Sequence, residues 1–211
     1  DARLERRIVF AGEAGDHVRA ESEARHARQS VLHRRRVLLR RVAAAHALEE
    51  VTDGFALVEL EGAIALRDAG IRHPILMLEG PYRPEDLSLY AEFELTPVLH
   101  TRWQVDALIA AGLPRRQSVY LKLNTGMNRL GFNADEFPVA LDSLAAADCL
   151  EAVSLMTHFA DADEPRGIAS QLEVFRAMTG NRRLPASLAN SAAILRFPEA
   201  HADWVRPGIM L

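Results

Sequence analysis

Hydrophobic and polar positions alternate in blocks from about Val42 onward. The short apolar runs are nearly continuous, which is typical of strands buried on both faces of a parallel sheet. They predict seven strands, at residues 54–58, 75–78, 97–100, 119–123, 152–158, 187–190 and 205–210. The stretches between them have apolar residues at helical spacing and predict six helices, near residues 59–69, 84–93, 101–111, 134–146, 167–179 and 191–196. Residues 42–211 are therefore expected to form an α/β unit of repeated strand–helix pairs.

Turn residues agree with these boundaries. Gly70 and the run Gly112-Leu113-Pro114 follow predicted helices, and Asn133 is a suitable N-cap. Repeats of this length fit either a doubly wound sheet or a (β/α)8 TIM-type barrel. Seven strands are one short of a closed barrel, with the gap on the N-terminal side. Polar residues cluster at the strand ends, which favours the barrel because its active sites assemble there.

The composition narrows the class of protein. The 211 residues are 49% hydrophobic and 26% charged, as in a soluble globular protein. No run approaches the roughly 18 apolar residues that cross a bilayer, so we expect no membrane partner. A net charge of −4 gives no general attraction to nucleic acid. The single cysteine, Cys149, excludes an internal disulfide and a cysteine metal cluster, and it fits a cytoplasmic protein.

The first 41 residues differ from the rest. They contain 11 of the 24 arginines and match none of the strand–helix repeats. A basic patch for RNA or an acidic partner is one interpretation, and a solvated helical face with interspersed glutamates is the favoured one. The chain begins without a methionine or a signal-peptide apolar core, so it is expected to be processed or a fragment.

The densest motif is Leu-Lys-Leu-Asn-Thr-Gly-Met-Asn-Arg-Leu-Gly-Phe at residues 121–132, and it contains the only lysine, Lys122. Gly126 allows a tight turn after the predicted strand. Arg129 is either an ordinary surface residue of this loop or a donor to an anion or phenolate.

A histidine, His158, ends another apolar run. It could be held by Asp161 or Asp163, or it could stack on a planar ligand. A metal is not expected, because no second ligand lies at i,i+4 spacing.

Two further strand ends carry polar residues. Asn190 and Ser191 end one strand and begin a helix, which suits either a phosphate site or a simple cap. Arg206 and Gly208 lie at the next strand end. In a barrel the last two strands are neighbours, and phosphate sites often form from their loops. No nucleophile elbow, Walker motif or dinucleotide fingerprint is present.

Together these segments resemble the alanine racemase family from about Val42 to Leu211. Blocks similar to the family occur in order at residues 53–57, 61–71, 74–80, 121–132, 156–163, 189–192 and 205–209. The resemblance implies a barrel that binds pyridoxal 5′-phosphate (PLP), followed by a β-rich domain, in a homodimer. It implies interconversion of L- and D-alanine for peptidoglycan precursors. A broad-specificity amino-acid racemase of the same barrel type is the alternative.

The resemblance also implies roles for the loop after the fourth predicted strand. Arg129 would donate to the phenolic oxygen of PLP and, with Met127, contact the substrate. Lys122 matches a supporting lysine that is carbamylated in some members and orients the arginine. Asn124 stands where many members have aspartate.

The other matching positions would hold the cofactor. His158 would pack against the pyridine ring, and Arg206 would face the ring nitrogen. The phosphate would be bound at the last two strand ends, by Asn190, Ser191, Gly208 and Ile209.

The residues that carry out the reaction in the family are not found. Its Schiff-base lysine and a phosphate-binding tyrosine are expected near residues 31–38, where the chain reads Val-Leu-His-Arg-Arg-Arg-Val-Leu. The chain ends before the β-rich domain that supplies a tyrosine base. No catalytic residue is therefore assigned, and we expect the chain to be inactive alone or a non-catalytic PLP-binding remnant. An altered reading frame over residues 1–41 is our hypothesis, and a divergent N-terminus is its rival; the encoding nucleotide sequence would decide.

Overall fold

The computed structural model describes residues 37–208, and the chain divides into two compact units, residues 1–50 and 51–211. The described part of the first unit contains one helix, α1, over residues 37–48. Its alanines, leucines and arginines have high helix propensity. The favoured interpretation of residues 1–41 as a solvated helical face overlaps the start of α1, whereas no helix was predicted over residues 42–48. The prediction that residues 31–38 replace the first barrel strand falls largely outside the described residues.

The second unit alternates strands and helices. Its strands are β1 (Phe55–Leu57), β2 (Ile75–Met77), β3 (Leu95–Leu99), β4 (Gln117–Lys122), β5 (Leu150–Met156), β6 (Ala186–Asn190) and β7 (Trp204–Arg206). Its helices are α2 (Leu60–Asp68), α3 (Asp86–Glu92), α4 (Arg102–Ala110), α5 (Glu136–Ala145), α6 (Ala169–Thr179) and α7 (Ser191–Arg196). A short 3-10 helix, Pro198–Ala200, precedes β7.

The strand order decides between the two predicted architectures. All neighbouring strands pair in parallel, and their order is β1-β2-β3-β4-β5-β6-β7. A doubly wound sheet would reverse its order at a switch point, and this sheet does not. The fold is a nearly closed (β/α) barrel with seven strands in the described residues. The predicted incomplete TIM-type barrel is confirmed.

Several predicted strands are displaced by a few residues. The predicted strand over residues 152–158 is Leu150–Met156, so His158 lies two residues beyond its end. The predicted strand over residues 205–210 is Trp204–Arg206, and Gly208 follows it. The fifth strand keeps its predicted length of seven residues but lies two residues earlier. The seventh ends early because Pro207, which has no N–H to donate, follows Arg206.

Strand β4 shows how the fold positions its polar groups. Val119, Leu121 and Leu123 are buried in the cluster that contains Phe137 and Leu144 of α5. Because side chains alternate along a strand, the residues between them face the inside of the barrel. The register then aligns four inward-facing residues across the sheet: Lys122, Met156, Ser187 and Trp204.

Candidate active site

The loop after β4 folds back onto the strand that precedes it. The Phe132 amide donates to the Lys122 carbonyl at 2.8 Å, and the Asn124 amide donates to the Phe132 carbonyl at 2.9 Å. The Asn124 side-chain oxygen accepts from the amides of Gly126, at 3.1 Å, and Asn128, at 3.0 Å. The loop is therefore a closed unit that carries Arg129 outward. Asn124 is a turn residue here, a role that an Asx-turn pattern could have indicated.

Gly131 makes this closure sterically feasible. Its φ is +128°, a conformation that L side chains rarely adopt. A Cβ at this position would lie 2.6 Å from the Asn124 nitrogen and 2.7 Å from the Leu123 carbonyl carbon. Both are backbone atoms of the strand end, so they cannot rotate away. Only glycine allows the loop to return this closely.

The loop and the end of β5 border a shallow depression that is open to solvent. Its lining includes Lys122, Met127, Arg129 and His158. Lys122 is 7% exposed, whereas Arg129 is exposed at the rim. The structure thus brings together the four predicted site residues from the β4 and β5 ends.

Lys122 lies in an electropositive, poorly hydrated environment. Burial, assisted by Arg129 and Arg206, lowers the pKa of Lys122 to about 8, and Glu79 acts in the opposite direction. In the described part of the chain, no hydrogen bond or salt bridge engages its ammonium group. A substantial fraction of this amine is therefore neutral near physiological pH.

His158 is half-buried and neutral at pH 7. Burial, followed by the charges of Arg206, Arg129 and Lys122, lowers the pKa of His158 to about 4. Within residues 37–208 neither predicted aspartate is its partner, and the Asp161 carboxylate instead lies 3.9 Å from Arg166. The neutral ring is available to pack against a planar group.

Arg206 is a fixed cation inside the barrel. One terminal nitrogen donates to the Ser187 hydroxyl at 2.5 Å, and the other donates to the carbonyls of Thr157, at 2.7 Å, and Leu188, at 3.4 Å. These contacts join β7 to β6 and to the end of β5. Burial lowers the pKa of Arg206 to about 10, with Tyr120 acting in the opposite direction, so the guanidinium stays charged at neutral pH.

The ends of β6 and β7 meet as predicted. The Gly208 amide donates to the Ser191 hydroxyl at 2.9 Å. Asn190 acts as an N-cap, because its side-chain oxygen accepts from the Ala193 amide at 3.0 Å. The Asn190 side-chain nitrogen donates to the Phe159 carbonyl at 3.1 Å, so both ends of this amide are engaged. Ile209 lies outside the described residues.

A buried threonine pair was missed in the sequence. The Thr125 and Thr157 hydroxyls are 2.8 Å apart, and the Thr157 hydroxyl donates to the Leu123 carbonyl at 3.0 Å. The pair joins the loops that follow β4 and β5, directly behind Lys122 and His158. Their only sequence signal is the position of each threonine just after an apolar run.

A second group that was missed lies at the ends of β2 and β3. The Gln104 side chain accepts from the His100 amide at 2.8 Å and donates to the carbonyls of Glu79, at 2.9 Å, and Pro81, at 3.1 Å. A Cβ on Gly80 would lie 2.3 Å from the Val98 carbonyl oxygen. The His-x-x-x-Gln spacing after a Glu-Gly strand end could have indicated these hydrogen bonds between neighbouring loops.

The described residues contain neither a metal-binding cluster nor a membrane-spanning helix. Within residues 37–208, no group of three or more histidine, cysteine or acidic side chains could hold a metal ion. No helix in that same range is both long enough and apolar enough to cross a membrane.

Known proteins share this sequence and fold. A model of the alanine racemase N-terminal domain matches residues 39–211. The chain is 54% identical over 171 residues to the alanine racemase of Nitrosospira multiformis, covering 80% of this chain and 48% of that protein. It is 46% identical over 159 residues to the alanine racemase of Cupriavidus necator, covering 75% of this chain and 43% of that protein.

Solved structures of alanine racemases agree with the sequence comparisons. The biosynthetic alanine racemase of Pseudomonas aeruginosa superposes with a TM-score of 0.75 at 37% identity, covering 80% of this chain and 48% of that one. The alanine racemase of Acinetobacter baumannii superposes with a TM-score of 0.69 at 32% identity, covering 78% of this chain and 47% of that one. The chain spans about half the length of the relatives it matches. It belongs to the alanine racemase family, of which it represents the N-terminal barrel domain.

Proposed function

We propose that the chain forms the cofactor-binding barrel of an alanine racemase. The observation that carries this proposal is Arg206, a charged guanidinium held inside the barrel by three oxygen acceptors. Such a rigid cation is not needed to close a barrel, and it lies beside the electropositive depression that contains Lys122 and His158.

The residues fit PLP, on which this family depends, as a non-covalent ligand. Arg206 would face the pyridine nitrogen, and a guanidinium there keeps that nitrogen unprotonated. His158 offers a neutral ring as a packing surface. Ser191 and Gly208 bring a hydroxyl and a backbone amide together where two strand ends meet, and both would turn from each other to a bound phosphate. Ile209 and the helix start beyond Asn190 would complete this phosphate site.

The rim of the depression is suited to a substrate. Arg129 is exposed and permanently charged, so it can pair with the carboxylate of alanine or the phenolic oxygen of PLP. Met127 lies beside it in the same lining. Lys122 is proposed as a supporting cation, or after carbamylation a supporting anion, that orients Arg129. When bound, PLP supplies the electron-accepting chemistry that makes an amino acid's α-proton acidic.

The chain by itself is proposed to be inactive as a racemase. Racemisation needs an acid/base group on each face of the α-carbon, and the family uses a cofactor-linked lysine and a tyrosine from a partner subunit. The 211 residues contain one lysine, and Lys122 occupies the supporting position. Tyr90, one of the three tyrosines, is buried against the core. This lone lysine favours the alternative of a cofactor-binding remnant without turnover.

The remaining functional assignments follow the family. We propose alanine as the substrate, D-alanine for peptidoglycan and the cell wall as the product's use, a homodimer as the assembly and the cytoplasm as the location. A broad-specificity amino-acid racemase of the same barrel type is the alternative within the enzyme class.

PLP binding and racemase turnover are tested in separate experiments. PLP is titrated into the purified chain, and binding is followed by absorbance and by quenching of Trp204 and Trp103 fluorescence. We expect saturable binding that weakens about tenfold in Ser191→Ala, because one phosphate donor is lost, and is unchanged in the exposed-site control Ser88→Ala. A folded chain that binds no PLP would refute the proposed function.

Turnover is measured by coupling D-alanine formation to D-amino-acid oxidase. The full-length Pseudomonas aeruginosa enzyme serves as the positive control. We expect no D-alanine from the 211-residue chain with PLP. Measurable racemisation would overturn the proposed inactivity while leaving the family assignment intact.

A further inference from the structure

Lys122 is a nucleophilic group for which the proposed function gives only a supporting role. It is the only lysine among these 211 residues, so any lysine chemistry of this chain is confined to one position. Its stem is buried at the end of β4, and the residue lines the open depression. In the described part of the chain, its amine makes no hydrogen bond or salt bridge. The amine is therefore both held in place and chemically available.

The surroundings of Lys122 favour the neutral amine. Desolvation and neighbouring cations both disfavour an ammonium, and such lysines act as nucleophiles toward carbonyl compounds. Five charged or titratable groups face it from the surrounding elements: Glu79, His100, Arg129, His158 and Arg206. Glu79 alone among these is acidic, so the local field is positive.

An anionic group could be bound beside this amine. Arg129 is exposed at the rim, and among residues 37–208 its guanidinium has no hydrogen-bond partner. Arg206, by contrast, already donates to three protein oxygens. A carboxylate entering the depression would therefore meet Arg129 first.

We propose that Lys122 is a carbonyl-binding site that forms an imine with small anionic aldehydes or 2-oxo acids, whose carboxylate pairs with Arg129. The lysine nitrogen attacks the carbonyl carbon, and the resulting carbinolamine loses water as a new C=N bond forms. The leaving hydroxyl takes a proton that the nitrogen releases, so no oxidant or reductant is consumed. This site needs no PLP and does not rest on the proposed racemase function.

The test uses glyoxylate and cyanoborohydride on the purified 211-residue chain in bicarbonate-free buffer. Reduction of the imine leaves a carboxymethyl group, which peptide mass spectrometry locates. The α-amino group of Asp1 is an internal reference, because its ordinary pKa of about 8 resembles that of the buried lysine. At pH 7.5 we expect Lys122 to be modified at least about tenfold faster, relative to Asp1, than in the urea-unfolded chain, whose lysine pKa is about 10.4.

The pH dependence gives a second readout. In the folded chain the ratio of Lys122 to Asp1 modification should stay constant from pH 7 to 9. In the unfolded chain it should rise with pH, because an ordinary lysine continues to lose protons. Equal ratios for the folded and unfolded chains, or modification of Asp1 alone, would overturn the proposal.

The role of Arg129 is tested with a matched pair of variants. Arg129→Gln should lower the ratio of glyoxylate to acetaldehyde modification at Lys122 about tenfold, because only glyoxylate carries a carboxylate. Arg102→Gln removes an exposed arginine that is paired with Asp106 on α4, and it should leave this ratio unchanged. An unchanged ratio in Arg129→Gln would refute the carboxylate contact. The assay contains neither PLP nor alanine, so its failure is distinct from failure of the racemase proposal.

Discussion

Replacing Gly131 by alanine tests whether the loop that carries Arg129 closes as the structure shows. The added Cβ would lie 2.6 Å from the Asn124 nitrogen and 2.7 Å from the Leu123 carbonyl carbon. The backbone must shift, and the alanine must also hold a φ of +128°. Strained backbone of this kind costs about 1–3 kcal/mol. With the collision added, we expect a loss of at least about 3 kcal/mol in the free energy of unfolding.

Gly112→Ala is the matched control. Gly112 also has a positive φ, of +55°, but nothing lies within 4 Å of its Cβ position. Its conformation is the ordinary left-handed one, so alanine should cost only about 1 kcal/mol. Urea unfolding of both variants, monitored by circular dichroism, gives the difference between their free energies of unfolding. The slope m of each variant is compared with that of the parent chain. Equal losses for the two variants would show that the loop does not pack against the strand end as described.

Three further predictions use the same unfolding assay. Thr157→Val should cost about 1–3 kcal/mol, because it leaves the buried Thr125 hydroxyl without its partner; a loss below 0.5 kcal/mol (roughly the surface-substitution level) would contradict the pairing. Leu121→Ala should cost about 2–5 kcal/mol because Leu121 is fully buried, whereas Leu195→Ala, at a side chain 73% exposed, should cost under about 0.5 kcal/mol. His158 has a folded pKa of about 4, below the unfolded value of about 6.5, so the unfolded chain binds more protons between these pH values. Stability should therefore fall by up to about 2 kcal/mol, after allowance for solvent screening, as pH drops from 6.5 to 4. His158→Asn should flatten that slope, and an unchanged slope would show that another group causes it.

The approximate positions of the strands and helices were accessible from the sequence because the central strands, such as β3 and β6, are largely buried on both faces. A run such as Ile75–Leu78 is apolar throughout, and turn residues mark where each run ends. The strand order was predicted only through the polar residues at strand ends and the family resemblance, since periodicity within an element says nothing about which elements are neighbours. The part of helix α1 beyond residue 41 was missed because its run of alanines and a leucine was assigned to no element.

The candidate site was accessible only in part. Lys122, Arg129, His158, Ser191 and Arg206 were found because they follow apolar runs or occur in a recognisable motif. The hydrogen bonds that hold these side chains in place could not be predicted, because they join segments that are far apart in the sequence. Arg206 donates to the carbonyl of a residue 49 positions earlier, and the paired threonines are 32 positions apart. Such distances become contacts only when parallel strands place their ends side by side.

The hydrogen bonds of Arg206 connect ligand binding to the docking of β7. That strand has three residues, two of which, Trp204 and Val205, are at least 40% exposed, so little apolar burial fixes it in place. The Arg206 guanidinium adds three hydrogen bonds that attach β7 to β6 and to the end of β5. A ligand that contacts Arg206 binds only when β7 is docked, and by thermodynamic reciprocity it must stabilise the docked strand by the same free energy. The last strand of this chain is therefore both a wall of the site and the element whose amide hydrogen exchange should slow when the site is filled.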